Sequence, residues 1–295
     1  MAVAVVVLLL ARGGSPAAIA PPAVAPALVA LAQPRGGIAL ARQDGDRVVA
    51  LSLRRARSGA QARVTVLGPA GGGVAGLAVT LAGGIHAVPC GRGCYEARLP
   101  RAAGSVAVHL HGPGARTSSA VFTLPRAWPV SAVSALRRVE RTLRAAHSVV
   151  YREHLASAPG VAITSLWRVV APHSLAYSTA TGSDGIVIGA RRWDRDAAGK
   201  PWLPSPQDPL DLPTPPWGAH VQDVVRLDPP AGQRAATIRL ALFDPATPAW
   251  YELTVDAASD RLRSVHMTAV SHFMRDDYLG YDSAPPIRPP ADVAG

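Results

Sequence analysis

Lysine is almost absent from the sequence: Lys200 is the only one among 295 residues, although the formal net charge is +10. Charged residues make up 17% of the chain and aromatic residues 5%, so scattered arginines carry the positive charge. A nucleic-acid-binding surface needs basic residues gathered on one face beside aromatic platforms, and no known nucleic-acid-binding motif is present. The sequence therefore argues against nucleic acid as a partner.

A hydrophobic run long enough to cross a bilayer is also missing. Residues 2–11 are ten consecutive apolar residues, whereas a spanning helix needs about 20. The run fits the apolar part of a secretory signal, but no positive charge precedes it. Residues 1–12 are therefore either a signal-like segment or the end of a membrane segment, and residues 13–36 form a Pro/Ala-rich linker. Both interpretations predict an extracytoplasmic location, secreted or membrane-associated.

Cysteine is nearly absent, because Cys90 and Cys94 in "PCGRGCY" are the only two. In an exported protein such a close pair predicts a local disulfide, and the intervening glycines allow a tight loop. A second interpretation stays open, in which two thiolates and the nearby His86 hold copper or zinc.

The sequence motifs of known catalytic sites are missing as well. It contains no H-E-x-x-H motif, no nucleophile elbow, no phosphate-binding glycine loop and no dinucleotide fingerprint. Asp194 and Asp196 in "WDRD" are separated by Arg195 and followed by a glycine turn, which indicates a strand entering a hairpin rather than paired acid–base groups. We therefore expect a non-catalytic protein.

Short β-like runs dominate what is present. Seven of them fall within residues 37–125, and Gly, Pro, Asp or Ser separates nearly every pair, as is typical of a β-sandwich. In "SVAVHLH" the valines and Leu110 share one face, and His109 and His111 share the other. These two histidines either chelate a metal ion or simply face water.

Residues 129–290 begin with a helical pattern and continue as an antiparallel β meander. The apolar stripe at Ala132, Leu136, Val139, Leu143 and Ala146 predicts an amphipathic helix packed on a sheet. The proline-rich stretch 203–217 predicts a long loop. Because no strands and helices alternate, a doubly wound parallel sheet is excluded and the predicted fold class is mainly β.

Two family resemblances sharpen these expectations. "GPAGGGVAGLAVTL", "CGRGCYEARLP" and "SVAVHLHG" resemble the β-sandwich modules of CopC/CopD copper-resistance proteins and the YtkA-like family. "PGVAITSLWRVVAPHSLAYSTATGSDGIVIGARRWDRDAAGKPW" and "LALFDPATPAWYELTVDAASDRLRSVHMTA" resemble LolA- and LppX/LprG-type lipoprotein carriers. The arrangement is similar to the soluble C-terminal region of actinobacterial CopD-like proteins. The resemblance implies an immunoglobulin-like sandwich, a LolA-like half-barrel with one helix, a copper-handling context and a membrane protein partner.

A half-barrel offers an apolar face that either binds a lipid or acyl chain or simply packs under the helix. Strand alternation predicts which residues form that face. They are Val161, Ile163, Trp167, Ile186, Ile188, Leu240 and Leu242.

The stretch "HMTAVSHFM" contains two methionines and two histidines, ligand types that suit copper. Taken as one strand over residues 261–274, it places Met267 on the apolar side with Val265. His272 and Met274 fall on the opposite side, as a two-residue candidate copper site that needs a further ligand.

Three functions follow from these expectations. The first is an extracytoplasmic protein that binds a ligand or acts as a chaperone in a copper-handling context, with copper as a possible cofactor. The alternative is a lipid or lipoprotein carrier with a hydrophobic half-barrel pocket and no metal role. The third is an interaction module attached to a membrane partner.

Overall fold

The computed structural model describes residues 37–100, 104–112, 117–125, 127–227 and 236–293. The expected signal-like segment and linker, residues 1–36, lie outside the described residues. Within the described ranges the chain forms twenty strands and one helix, and every paired strand runs antiparallel to its neighbours. The mainly β class is therefore confirmed. No helix within these ranges has the length and apolar content needed to cross a membrane.

The first nine strands form two sheets. Their bounds are β1 (Ile38–Asp44), β2 (Arg47–Arg55), β3 (Ala60–Leu67), β4 (Ala78–Leu81), β5 (Ile85–His86), β6 (Val88–Gly91), β7 (Cys94–Leu99), β8 (Gly104–His111) and β9 (Ser118–Leu124). One sheet has the order β1-β2-β3-β7-β6 and the other β5-β4-β8-β9. Both sheets contribute to one buried cluster that includes Leu51, Val64, Val108 and Phe122.

The predicted alternation in β8 is confirmed. Val106, Val108 and Leu110 are buried, whereas His109 and His111 lie on the other face of the strand.

The remainder of the chain forms one helix and one large sheet. Their bounds are α1 (Val133–Ala145), β10 (Ser148–Ala158), β11 (Val161–Val170), β12 (Ser174–Thr179), β13 (Asp184–Ile188), β14 (Arg191–Arg195), β15 (Leu203–Pro206), β16 (Gln222–Arg226), β17 (Thr237–Asp244), β18 (Ala249–Asp256), β19 (Leu262–Ala269) and β20 (His272–Tyr281). The order is β15-β14-β13-β12-β11-β10-β20-β19-β18-β17-β16. The last strand, β20, therefore pairs with β10 at the middle of the sheet.

Helix α1 covers one face of the large sheet. Its stripe residues Leu136, Val139 and Leu143 are buried in a cluster with Leu240 and Tyr251 of the sheet, as the helical spacing predicts. The proline-rich segment between β15 and β16 lies on the same face, because Trp217 donates a hydrogen bond from Nε1 to Glu140 Oε1 of α1 at 2.8 Å. The hydroxyl of Tyr251 donates another to the carbonyl of Pro216 at 2.9 Å.

The opposite face of the large sheet packs against β1 and β2. Ala39, Ala41 and Ala50 form a separate buried cluster with large side chains that include Trp250 and Phe273. Strands β1 and β2 are consequently buried on both faces, which explains their nearly continuous apolar runs "IALA" and "VVALSL". The small alanine side chains let the two sheets approach closely.

Polar contacts flank this sheet-to-sheet interface. Arg42 of β1 forms an ion pair with Glu252 of β18, and Arg239 of β17 forms another with the same carboxylate at 3.1 Å. Thr268 Oγ1 donates to the carbonyl oxygen of Ala41 at 3.5 Å. The two sheets are thus joined by both apolar packing and directional contacts.

The substitution Ala50→Leu tests this interface. Ala50 is fully buried between the two sheets, so the larger side chain should overpack it and lower the free energy of unfolding by about 1–3 kcal/mol. Chemical denaturation followed by circular dichroism measures the change. The matched control is Ala78→Leu, on an exposed position of β4, which should leave stability nearly unchanged. Equal effects for the two variants would contradict the packing described.

Candidate ligand-binding cleft

A cleft of about 100 Å³ lies on the helix-covered face of the large sheet. Its floor is formed by β10, β11, β19 and β20, and Leu143 of α1 and residues 212–216 of the proline-rich segment lie over it. Its other lining residues are Val149, Tyr151, Glu153, Leu155, Trp167, Val169, Leu175, Met267, His272, Met274, Asp276 and Tyr278.

Cross-strand register arranges the floor in three rows. The acid row consists of Ser165, Glu153 and Asp276. The aromatic row consists of Trp167, Tyr151 and Tyr278, and the thioether row of Leu155, Met274 and Met267. Directly opposed residues on neighbouring strands have side chains about 4.5–5.5 Å apart at Cβ, so the members of each row are neighbours.

The side chains of the acid row are buried, and some of their oxygen atoms lack a hydrogen-bond partner among the described residues. Glu153 and Asp276 are each 3% exposed and Ser165 is 1% exposed. Glu153 Oε1, Asp276 Oδ1 and Ser165 Oγ have no hydrogen-bond partner among the described residues. Within the same part of the chain, neither carboxyl group forms an ion pair. Buried carboxylates without a counter-charge are costly, so this row is the unusual feature of the cleft.

Burial also controls the protonation of this row. Desolvation raises the pKa of Glu153 to about 7, and the indole N–H of Trp167 offsets part of that increase, although the two groups fall short of ordinary hydrogen-bond geometry. Burial raises the pKa of Asp276 well above its usual value, and the negative charges of Glu153 and Asp277 add to that increase.

The aromatic row forms a stacked wall beside the acid row. The ring centroids of Tyr151 and Trp167 are 6.0 Å apart, and those of Tyr151 and Tyr278 are 5.4 Å apart. Burial, together with the charge of Asp276, raises the pKa of both tyrosine hydroxyls well above the ordinary value. Both tyrosines therefore stay neutral at physiological pH.

The thioether row corrects the sequence interpretation of "HMTAVSHFM". That stretch is not one strand: β19 ends at Ala269, and a turn at Val270 and Ser271 leads into β20. Met267 and Met274 are directly opposed across this hairpin. Placing Met267 on the opposite side from Met274 was therefore wrong, because the two-residue turn folds the chain back on the same face.

His272 completes this cluster. It opposes Ala269 in the hairpin, two residues from Met274 on the same face, and lines the cleft with both methionines. Its Nδ1 lies 3.4 Å from the carbonyl oxygen of Val270. His266 lies on the other face of β19, where burial first and then the charge of Arg275 lower its pKa.

Of the residues expected to form an apolar pocket, Trp167 lines the cleft. Leu240 and Leu242 are fully buried in the core of the same face instead. Val161 is 58% exposed at the start of β11. Ile163 is half-buried, opposite Leu155 at the end of the thioether row.

Ile186 and Ile188 also lie away from the cleft. In β13 the side chain of Val187 faces the core, so the two neighbouring isoleucines face the other side of the sheet. The register of Gly185 explains this choice: a Cβ there would lie 2.2 Å from the ring of Tyr177, so only glycine fits beneath that ring. The expected pocket role of both isoleucines is therefore corrected.

The β5-β4-β8-β9 sheet carries His86, His109 and His111 on one face. His86 and His109 both oppose Thr80 in the register of β4 with β5 and β8. His86 Nδ1 lies 3.4 Å from Thr80 Oγ1, and His111 Nδ1 lies 3.1 Å from Thr117 Oγ1. Among the described residues, no group of three or more His, Cys, Asp or Glu side chains is placed to hold a metal ion.

Cys90 and Cys94 form a disulfide, as the first interpretation predicts, with a Cα separation of 5.1 Å. Two thiolates beside His86 are therefore not present in this structure, and the cysteine–histidine metal site is not formed.

Sequence reasoning missed the acid row entirely. The signal was available in strand alternation: Glu153 shares its parity with Val149, Tyr151 and Leu155, which face the core. A carboxylate at an inward-facing position is rare unless it has a partner or a role.

No protein family model matches the chain, and no curated protein sequence matches it.

The raised pKa of Glu153 predicts how stability changes with pH. Between about pH 4.5 and pH 7 the folded state keeps a proton that the unfolded state releases, so stability falls as pH rises through this window. Glu153→Gln removes this dependence. The difference in free energy of unfolding, variant minus wild type, should therefore increase by up to about 3 kcal/mol from pH 4.5 to pH 8.

Urea denaturation at several pH values measures this difference. Asp208→Asn, which removes an exposed carboxyl group, serves as the control and should parallel wild type. If the free energy of unfolding of Glu153→Gln changed with pH as that of wild type does, a raised pKa of Glu153 would be ruled out.

Proposed function

We propose that the protein is a non-catalytic binding protein that holds a Cu(I) ion in the cleft. Met267 and Met274 supply two thioether sulfurs and His272 an imidazole nitrogen. One observation carries the proposal: the register of the β19–β20 hairpin gathers these three side chains on one face.

The ligand types favour Cu(I) over other ions. Thioether sulfur is a soft ligand that selects Cu(I), and imidazole suits copper as well. Calcium and magnesium prefer oxygen ligands, which are absent from the thioether row. The carboxyl groups of Glu153 and Asp276 lie one row away, and a cation in the cleft would favour their ionised forms.

The remaining features fit an extracytoplasmic role. The Cys90–Cys94 disulfide is typical of an oxidising compartment. We assign the first nine strands to an immunoglobulin-like sandwich, and α1 with the large sheet to a LolA-like half-barrel, as the sequence resemblance implies. A membrane protein that passes copper to or from the cleft is the partner we propose.

The volume of the cleft weighs against the lipid or lipoprotein carrier alternative. A cavity of roughly 150 Å³ holds one benzene molecule, whereas this cleft measures about 100 Å³. Helix α1 and the proline-rich segment also lie on this face, so a long acyl chain would compete with both for space.

Competition titration tests the copper proposal. Purified protein is titrated with Cu(I) under anaerobic, reducing conditions against a chromophoric chelator. Wild type should bind one ion. Met267→Leu with Met274→Leu, and separately His272→Gln, should each weaken binding at least about tenfold, since even loss of a residue that only supports a metal ligand costs roughly 10- to 100-fold.

The matched control is His266→Gln, on the same hairpin but the opposite face, and it should bind like wild type. The double variant His109→Ala/His111→Ala should do so too. Absence of Cu(I) binding by wild type, or unchanged affinity in the methionine and His272 variants, would refute the proposal.

A further inference from the structure

Three oxygen atoms in the acid row share one unusual property. Glu153 Oε1, Asp276 Oδ1 and Ser165 Oγ are buried, lie in one row across β11, β10 and β20, and have no partner among the described residues. Both carboxyl groups line the cleft. Native structures leave few buried polar atoms unsatisfied, so three in one row point to a ligand.

We propose that the acid row is a separate binding site for the ammonium group of a small primary amine. A primary ammonium carries three N–H donors, which suit a row of two carboxyl groups and one hydroxyl with unpartnered buried oxygens. Glu153 lies between Ser165 and Asp276 in the register, so the three polar side chains are neighbours in one row, and Glu153 and Asp276 line the cleft.

The positive charge has to come from outside the described chain. Neither Glu153 nor Asp276 forms an ion pair with any arginine, or with Lys200, in the part of the chain that the structure describes. An ammonium group beside the row would supply that charge through charge-assisted hydrogen bonds, and it would favour the ionised form of both carboxyl groups against the effect of burial.

A hard metal ion fits this row less well than an ammonium group. Calcium takes six to eight oxygen ligands and magnesium keeps several waters, whereas the two carboxyl groups and one hydroxyl of the row carry five side-chain oxygens at most. Leu143 and the mostly apolar residues 212–216 also line the cleft, and they suit a hydrocarbon substituent.

The rows on either side define the rest of the ligand. Tyr151 and Tyr278 flank the ammonium position on one side, and Leu155 and Met274 flank it on the other. By comparison with the roughly 150 Å³ that benzene occupies, the cleft volume of about 100 Å³ admits a ligand of about four to five non-hydrogen atoms. A short alkylammonium ion is the ligand class that meets all of these limits.

The test is calorimetric titration of copper-free full-length protein with n-propylammonium chloride at constant ionic strength. A pH of about 8 keeps Glu153 ionised, because its pKa is about 7. The comparison ligands are n-propanol, which lacks the charge, tetramethylammonium, which lacks N–H donors, and Ca²⁺. Saturable binding of n-propylammonium alone, one per chain, is the expected result.

Variants then identify the residues. Glu153→Gln and Asp276→Asn should each weaken n-propylammonium binding at least about tenfold, because each removes a charge-assisted hydrogen bond. The matched control is Asp277→Asn, the next residue of β20, which lies on the opposite face and bonds Arg275. It should bind like wild type. Circular dichroism confirms that each variant is folded.

Several results would overturn the inference. They are absence of binding to wild type, equal affinity for tetramethylammonium, stronger binding of Ca²⁺, and unchanged affinity in the Glu153 and Asp276 variants. The His272→Gln variant separates this site from the copper site, since it should weaken Cu(I) binding and keep n-propylammonium binding. A negative result for one proposed site therefore leaves the proposal for the other site open to its own test.

Discussion

The structure depends on a single constraint: around the β19–β20 hairpin the large sheet is covered on both faces, so neighbouring residues there face opposite buried clusters. Phe273 faces the first sheet, while Met274, its neighbour in β20, faces the helix side. Because the side-chain period of a strand is two, a slip of one residue would exchange the two sets. Burial on both sides therefore fixes the register, and the register fixes the three rows of the cleft.

The cleft is built by pairing that is distant in sequence. Strand β20 lies beside β10, which brings Asp276 opposite Glu153 although the two residues are far apart in the chain. The thioether row arises from a local hairpin instead. Both rows stand on rigid strands and not on loops, so their geometry is set before any ligand binds, and preorganised side chains lose little entropy on binding.

Sequence patterns predicted the parts of this structure that depend on local periodicity. The helical stripe of α1 and the alternation in β8 are both present. The β19–β20 turn was missed because "AVS" contains neither glycine nor proline, and Ser271 adopts a positive φ of 55° that serine rarely shows. In β13, apolar residues occupy both parities, so periodicity could not choose between Ile186 and Val187.

The sheet-to-sheet contact and the acid row share a reason for escaping prediction, since each depends on which strands become neighbours. Once the neighbours are known, the acid row presents an energetic problem. Each unsatisfied buried polar group costs about 1–3 kcal/mol, and three occur side by side. The fold tolerates this cost because apolar clusters on both faces of the sheet hold β10 and β20 in place. A ligand that forms hydrogen bonds with these atoms binds only the folded chain, so it would raise the free energy of unfolding.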